Sequence, residues 1–175
     1  MHPSQLPLDK LLAQCRWGFS RASGPGGQHR NKVETAATIE HLPSGIRACA
    51  TEERSQQRNR QVALHRLRLA LAVGYQEPQA PKAFDESPSP LGASETWRLY
   101  CRSGKVRISP ENEHFPSLLA EAHQWLSAMD YHLPKTAEFL GTSATQLVKF
   151  LAMYPPALVG LNKNLVARGL SPRSC

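Results

Sequence analysis

The sequence predicts an α+β fold: a small antiparallel sheet packed on one long helix, followed by a mainly helical C-terminal region. Three observations predict it. Between Arg16 and Ala50 lie three short runs with strand character, two of them joined by the turn signal Pro43-Ser44-Gly45. From Ser55 to Val73 apolar residues recur at spacings of three and four. Beyond residue 110 the helix-start signals Pro116, Pro134, Ser143 and Pro155-Pro156 follow one another.

Taken in order, Leu8 to Gln14 reads as a short packing helix with Leu8, Leu11 and Leu12 on one side. In Arg16–Ala22, Trp17 and Phe19 alternate with Arg16, Gly18 and Ser20, the pattern of a half-buried strand. Thr35 to Leu42, rich in β-branched and small residues, is a second strand, and Ile46 to Ala50 completes a hairpin. Ser55 opens the long helix, with Val62, Ala63, Leu64, Leu67, Leu69, Leu71 and Val73 on a broad apolar face. Arg54, Arg58, Arg60, Arg66 and Arg68 fall mostly off that face. Cations late in a helix complement its dipole, so Arg66 and Arg68 also have a purely structural reading.

Gly74 to Ser94 holds Pro78, Pro81, Pro88 and Pro90 with few apolar residues and reads as a linker. The expected organisation is therefore a first domain over 1–73, a Pro-rich linker over 74–94 and a mainly helical region over 95–175. Thr96 to Ser109 is expected to form a hairpin around Ser103-Gly104, with Trp97, Leu99, Val106 and Ile108 as its apolar residues. Helices follow over Ser117–Met129, from Pro134 to Gly141, from Ser143 to Met153, and from Pro155 to near Gly169. The pair around Gly141 has the length and turn of a helix-turn-helix, but most pairs of this kind are packing units, with Leu140, Leu147, Val148 and Leu151 as a small core.

Charge is unevenly placed. The chain of 175 residues has a net charge of +7. Ten Lys/Arg against four Asp/Glu lie between Arg16 and Arg68, so that stretch alone carries +6. Such a patch fits a polyanionic partner. Cys15, Cys49, Cys101 and Cys175 are scattered without a C-x-x-C pair, which removes zinc and thioredoxin-like readings. No metal or other cofactor is expected. No secretory signal, transit peptide or apolar run of about 18 residues is present, so no membrane association is expected and a bacterial-type cytoplasm is favoured.

The most specific stretch is Gly24-Pro25-Gly26-Gly27-Gln28-His29-Arg30-Asn31-Lys32. Three glycines in four positions permit φ > 0 and close approach to a ligand, and the cations that follow suit phosphate. Gly-Gly-Gln alone is a weak string. Here it sits within Ser23–His29, followed by Asn31-Lys32, His41-Leu42-Pro43-Ser44-Gly45-Ile46, Glu53-Arg54-Ser55-Gln56 and Asn59-Arg60. In this order and spacing, Arg21 to about Leu69 resembles the catalytic domain of class I peptide-chain release factors. Arg30 departs from the small apolar residue expected there.

The resemblance implies hydrolysis of the peptidyl-tRNA ester in the ribosomal peptidyl-transferase centre. Gly26, Gly27 and Gln28 would be the catalytic residues, with the Gln28 backbone N–H as oxyanion donor and its side chain lining the water site. Arg21, His29, Arg30, Asn31, Lys32, Arg54, Arg58 and Arg60 would contact RNA. His29 lacks a visible orienting partner and is not read as a general base. Asn31 has an equal reading as a turn residue bonding its own backbone. Large-subunit rRNA and peptidyl-tRNA are the implied partners of a monomer, and a glutamine methyltransferase acting on Gln28 is a further one. Only about twenty residues precede the loop, and codon-reading tripeptides are absent from them. The chain thus looks like the short proteins of this kind that rescue stalled ribosomes without reading a codon. Two other readings stay open: a non-catalytic RNA-binding module that keeps the loop for docking, and a hydrolase of free peptidyl-tRNA, for which no acid–base groups are identified.

Overall fold

The computed structural model describes residues 2–21, 34–75 and 93–174. The chain divides into two compact units, Met1–Tyr75 and Gln76–Cys175.

The first unit contains helix α1 (Leu8–Leu12), strands β1 (Cys15–Ser20), β2 (Ala36–His41) and β3 (Ile46–Ala50), and helix α2 (Gln56–Gly74). The strands form an antiparallel sheet in the order β1-β2-β3, with Ser20 opposite Ala36 and Ile39 flanked by Trp17 and Ala48. The long helix lies on one face of it. Ala37, Ile39 and Ala50 from the sheet meet Ala63, Leu67 and Leu71 from α2, and Leu11 of α1 completes this core. The opposite face carries Glu40 between Arg16 and Arg47, its cross-strand neighbours. Arg16 Nη2 lies 2.7 Å from Glu40 Oε2 and Arg47 Nη2 lies 2.8 Å from Oε1. These guanidinium hydrogen bonds hold the Glu40 carboxyl below the usual carboxylate range. One buried and one charged face is the expected division of a small antiparallel sheet.

Two local signals account for the boundaries. In the β2–β3 turn, the N–H groups of Ser44 and Gly45 donate to the His41 carbonyl, at 3.3 and 2.8 Å. Gly45 has φ +68°, a conformation glycine adopts without a Cβ penalty. At the start of α2, Ser55 Oγ accepts from Arg58 N, an N-cap.

His41, 1% exposed, stands at the end of β2. Its Nε2 lies 3.0 Å from Gln14 Oε1 and its Nδ1 2.8 Å from Ser44 Oγ. The Gln14 oxygen can only accept, so Nε2 carries a proton, and in the neutral imidazole Nδ1 accepts from the Ser44 hydroxyl. Burial lowers the His41 pKa from its usual value. The unfolded chain then binds a proton more readily than the folded one, so stability falls as pH drops below about 6.5, the unfolded value. Between pH 7.5 and 5 the wild-type melting temperature is expected to fall more steeply than that of His41→Gln. Differential scanning calorimetry across this range checks it; parallel curves would exclude His41 as the source.

The second unit is mainly helical, as expected. Its elements are α3 (Glu95–Tyr100), β4 (Cys101–Arg102), β5 (Lys105–Val106), α4 (Phe115–Ala128), α5 (Leu133–Phe139), α6 (Ala144–Ala152) and α7 (Pro155–Ala167). The hairpin expected over Thr96–Ser109 is corrected here: its first half is helix α3, and only two residues pair on each side of the Ser103-Gly104 turn. Ser94 Oγ caps α3 through Trp97 N, and the buried Glu121 carboxylate accepts from Ser94 N at 2.7 Å and from Ser94 Oγ at 2.6 Å. Trp97 is buried, donates from Nε1 to the Leu140 carbonyl at 2.8 Å, and packs edge-on against Phe150. Leu140, Leu147, Val148 and Leu151 around the Gly141 turn are all buried, so this helix pair packs through them. Thr142 Oγ1 donates to the Gly104 carbonyl at 2.7 Å, tying that turn to the small hairpin.

Candidate nucleic-acid interface

The glycine-rich stretch connects two strands that pair at their ends. β1 stops at Ser20, opposite the first residue of β2, Ala36. The connection therefore leaves and returns at one end of the sheet. The catalytic candidates Gly26, Gly27 and Gln28, and the RNA-contact candidates His29, Arg30, Asn31 and Lys32, lie in 22–33, outside the described residues. Arg21, at the outgoing stem, is exposed.

The returning stem is held from the helix. Gln56 Nε2 donates to the Glu34 carbonyl at 2.8 Å. Asn59 Nδ2 donates to the carbonyls of Thr35 (2.7 Å) and Glu53 (2.8 Å), and its Oδ1 accepts from Glu53 N at 3.0 Å. Asn59 is 0% exposed, so the amide end of each bond is shielded from water. One side chain thus joins the loop stem, the approach to the helix and the first turn of α2. Sequence reasoning quoted Asn59 as part of a motif but gave it no role. A signal was present: Asn59, Ala63, Leu67 and Leu71 recur every four residues, so a polar amide occupies the buried stripe. Gln56, one turn earlier, was also missed.

Arg54, Arg58 and Arg60 are exposed at the start of α2. Arg58 Nη1 lies 3.7 Å from Glu53 Oε2 with both side chains largely in solvent, a pair that contributes little and leaves the cation accessible. The Arg60 guanidinium lies over the Trp17 and Phe19 rings. Arg66 and Arg68 are structural ties. Arg66 Nη1 reaches Glu52 Oε1 at 2.7 Å and the Cys49 carbonyl at 2.9 Å, and Arg68 Nη2 donates to the Ser4 carbonyl at 3.1 Å. Arg66, together with the N–H groups of Glu52 and Thr51, holds the Glu52 carboxyl below its usual range. The cations of this unit therefore divide by partner. Arg16, Arg47 and Arg66 face carboxylates at close range, while Arg21, Arg54, Arg58 and Arg60 present charge to solvent around the root of the loop.

Among the described residues no group of three or more His, Cys, Asp or Glu could hold a metal ion. Cys15, Cys49 and Cys101 are free thiols, and burial raises the pKa of Cys15 and Cys101, which disfavours the reactive thiolate. Among the described residues no helix is long and apolar enough to cross a membrane.

Residues 11–108 match the RF-1 domain model. Among curated relatives, peptide chain release factor PrfB1, chloroplastic, of Arabidopsis thaliana is 52% identical over 62 residues, covering 35% of this chain and 14% of that protein. The mouse peptide chain release factor 1-like, mitochondrial, is 40% identical over 101 residues, 56% of this chain and 27% of the relative. Peptide chain release factor 1 of Ureaplasma parvum is 38% identical over 107 residues, 60% of this chain and 28% of the relative. The chain thus spans between about a seventh and under a third of the length of these relatives. The matched segment contains the whole three-stranded sheet, the long helix and the glycine-rich connection, and on that basis the chain belongs to the RF-1 domain family, as a class I release factor-like protein.

Proposed function

We propose that this protein hydrolyses the ester joining a nascent peptide to tRNA in the peptidyl-transferase centre, independently of the codon in the decoding site, and so frees stalled ribosomes. The observation that carries the reading is the RF-1 domain match over residues 11–108, which includes Gly26-Gly27-Gln28. It is supported by the way the stems leave one end of the sheet, with Gln56 and Asn59 securing the returning one.

The chemistry asks little of side chains. An aminoacyl ester is already activated, so water suffices as nucleophile once aligned. Water adds to the ester carbonyl, and the carbon–oxygen bond to the tRNA ribose then breaks. The peptide leaves with a new carboxyl group, and the departing ribose oxygen takes up a proton from the attacking water to become a hydroxyl. In the proposed mechanism the Gln28 N–H meets the developing oxyanion, and Gly26 and Gly27 let bare main chain reach it. Holding water, ester and donor together lowers the barrier through prepaid entropy, a task shared with the ribosome. Arg21, His29, Arg30, Asn31, Lys32, Arg54, Arg58 and Arg60 are proposed as contacts to large-subunit rRNA or to tRNA. The proposal includes a monomer acting in a bacterial-type cytoplasm, with Gln28 as substrate for a glutamine methyltransferase. Codon independence is carried over from the short rescue proteins that the sequence resembles.

Peptide release is measured on ribosomes with empty, sense-filled and stop-filled decoding sites, and on isolated large subunits carrying peptidyl-tRNA. Release that does not require a stop codon is expected. Release confined to stop-filled sites would overturn codon independence. Binding without release on every complex would leave only a docking module.

A further inference from the structure

We propose that Trp17, Phe19 and Arg60 form a stacking platform for one unpaired nucleobase of the ribosomal complex. The inference rests on the ribosomal reading above and adds a recognition element to it. The Trp17 and Phe19 rings lie in nearly parallel planes, 3° apart, with centroids separated by 6.1 Å. They occupy alternate positions of β1 and so project from the same side of the strand. The Arg60 guanidinium lies over both, 4.9 Å from the Trp17 centroid and 5.6 Å from that of Phe19.

Three features set this apart from an ordinary surface arginine. Its guanidinium lies over two ring faces, and no ion pair to a carboxylate joins Arg60 among the described residues, so its charge stays available to a partner. Two rings under one guanidinium limit the side-chain freedom that a solvated arginine would otherwise lose on binding, so the surface is already organised. Phe19 is 38% exposed, so aromatic surface beside the guanidinium is open to a partner. A planar cation beside exposed aromatic surface matches the flat, electron-rich face of a base, and unpaired RNA bases stack on both aromatic rings and guanidinium planes. A phosphate, by contrast, needs charge and N–H groups but no aligned rings. The platform also stands at the root of the glycine-rich connection: Phe19 precedes Ser20, the last paired residue of β1. A base held there would fix the orientation of the loop before any chemistry.

The test uses the full chain and equilibrium binding, so it does not depend on ester cleavage. Affinity is measured for Arg60→Lys, Arg60→Gln and Phe19→Leu on vacant large subunits and on large subunits carrying peptidyl-tRNA, with melting temperatures as a folding control. Arg60→Lys keeps the charge but loses the flat face. Arg60→Lys and Phe19→Leu are each expected to weaken binding on the order of tenfold. Arg60→Lys should leave the slope of log affinity against log salt unchanged, and Arg60→Gln should lower it. A deficit on both kinds of subunit identifies a base of rRNA, and a deficit only with peptidyl-tRNA present identifies a base of tRNA. Wild-type affinity for Arg60→Lys would make Arg60 a point-charge contact and overturn the platform, as would wild-type affinity for Phe19→Leu. Absence of peptide release by the wild-type protein, with these binding deficits observed, would instead sink the proposed hydrolysis and leave the platform standing.

Discussion

Gly27→Ala is expected to reduce peptide release to near background, whereas Gln28→Ala leaves substantial activity. The difference follows from which atoms the proposed mechanism uses. A Cβ at position 27 occupies space where main chain must pass RNA, and it penalises the left-handed backbone conformations that glycine tolerates, by roughly 1–2 kcal/mol for an ordinary residue. Either effect displaces the following N–H. Alanine at 28 removes the side chain proposed to line the water site but keeps that N–H. Gln28→Pro is the sharper variant, because proline has no N–H to donate. Losing one oxyanion donor typically costs ~2.7–4 kcal/mol of barrier, or on the order of a hundred- to a thousandfold in rate. The expected order of single-turnover release at saturating protein is therefore wild type, then Gln28→Ala, with Gln28→Pro and Gly27→Ala far below. Equal losses for Gln28→Ala and Gln28→Pro would show that the side chain, and not the backbone, carries the chemistry.

What could be read from the sequence differed between the two units for a physical reason. In the first, each element has a local determinant strong enough to show in one dimension. Pro43-Ser44-Gly45 stands where a positive φ is needed, Ser55 has a free N–H three residues on to cap, and the nineteen-residue α2 carries apolar residues recurring from Val62 to Val73. In the second, α3 has six residues, too few for a 3.6-residue period to be distinguished from alternation. Trp97, Leu99, Val106 and Ile108 therefore resembled a hairpin. The signal that decides against it is long-range: Ser94 is fixed by Glu121, and Trp97 by Leu140 and Phe150, all distant in sequence. The candidate interface divides in the same way. Arg54, Arg58 and Arg60 were legible as charge, but a charge count cannot tell Arg66, held at 2.7 Å from Glu52, from Arg58, whose longer contact with Glu53 leaves it accessible. Trp17 and Phe19 were legible as a strand pattern, while their alignment under Arg60 depends on the packing of α2 across the sheet.

The largest effect on stability from a single polar side chain is expected at Asn59. Truncation to alanine leaves the Glu53 N–H and the Glu53 and Thr35 carbonyls without their amide partner. A fully buried polar group left unsatisfied costs about 1–3 kcal/mol; Glu53 is exposed and Thr35 partly so, and water reaching their groups brings the sum for all three to roughly 3 kcal/mol. Against a total stability of about 5–15 kcal/mol for a domain, that is a large fraction. Asn59→Asp should be at least as damaging, since it keeps the acceptor for Glu53 N but sets a carboxylate against two carbonyl oxygens. Urea titration reads these as a lowered midpoint at unchanged slope. Gln56→Ala separates stability from function. Among the described residues its amide holds only the exposed Glu34 carbonyl, so its removal should cost less than about 1 kcal/mol, yet it frees the same returning stem. Gln56→Ala is therefore expected to lower release while the urea midpoint barely moves. If Gln56→Ala releases peptide at the wild-type rate and Asn59→Ala loses activity only in proportion to its unfolded fraction, then the stem needs no anchoring from α2, and the loop owes its working geometry to the ribosome alone.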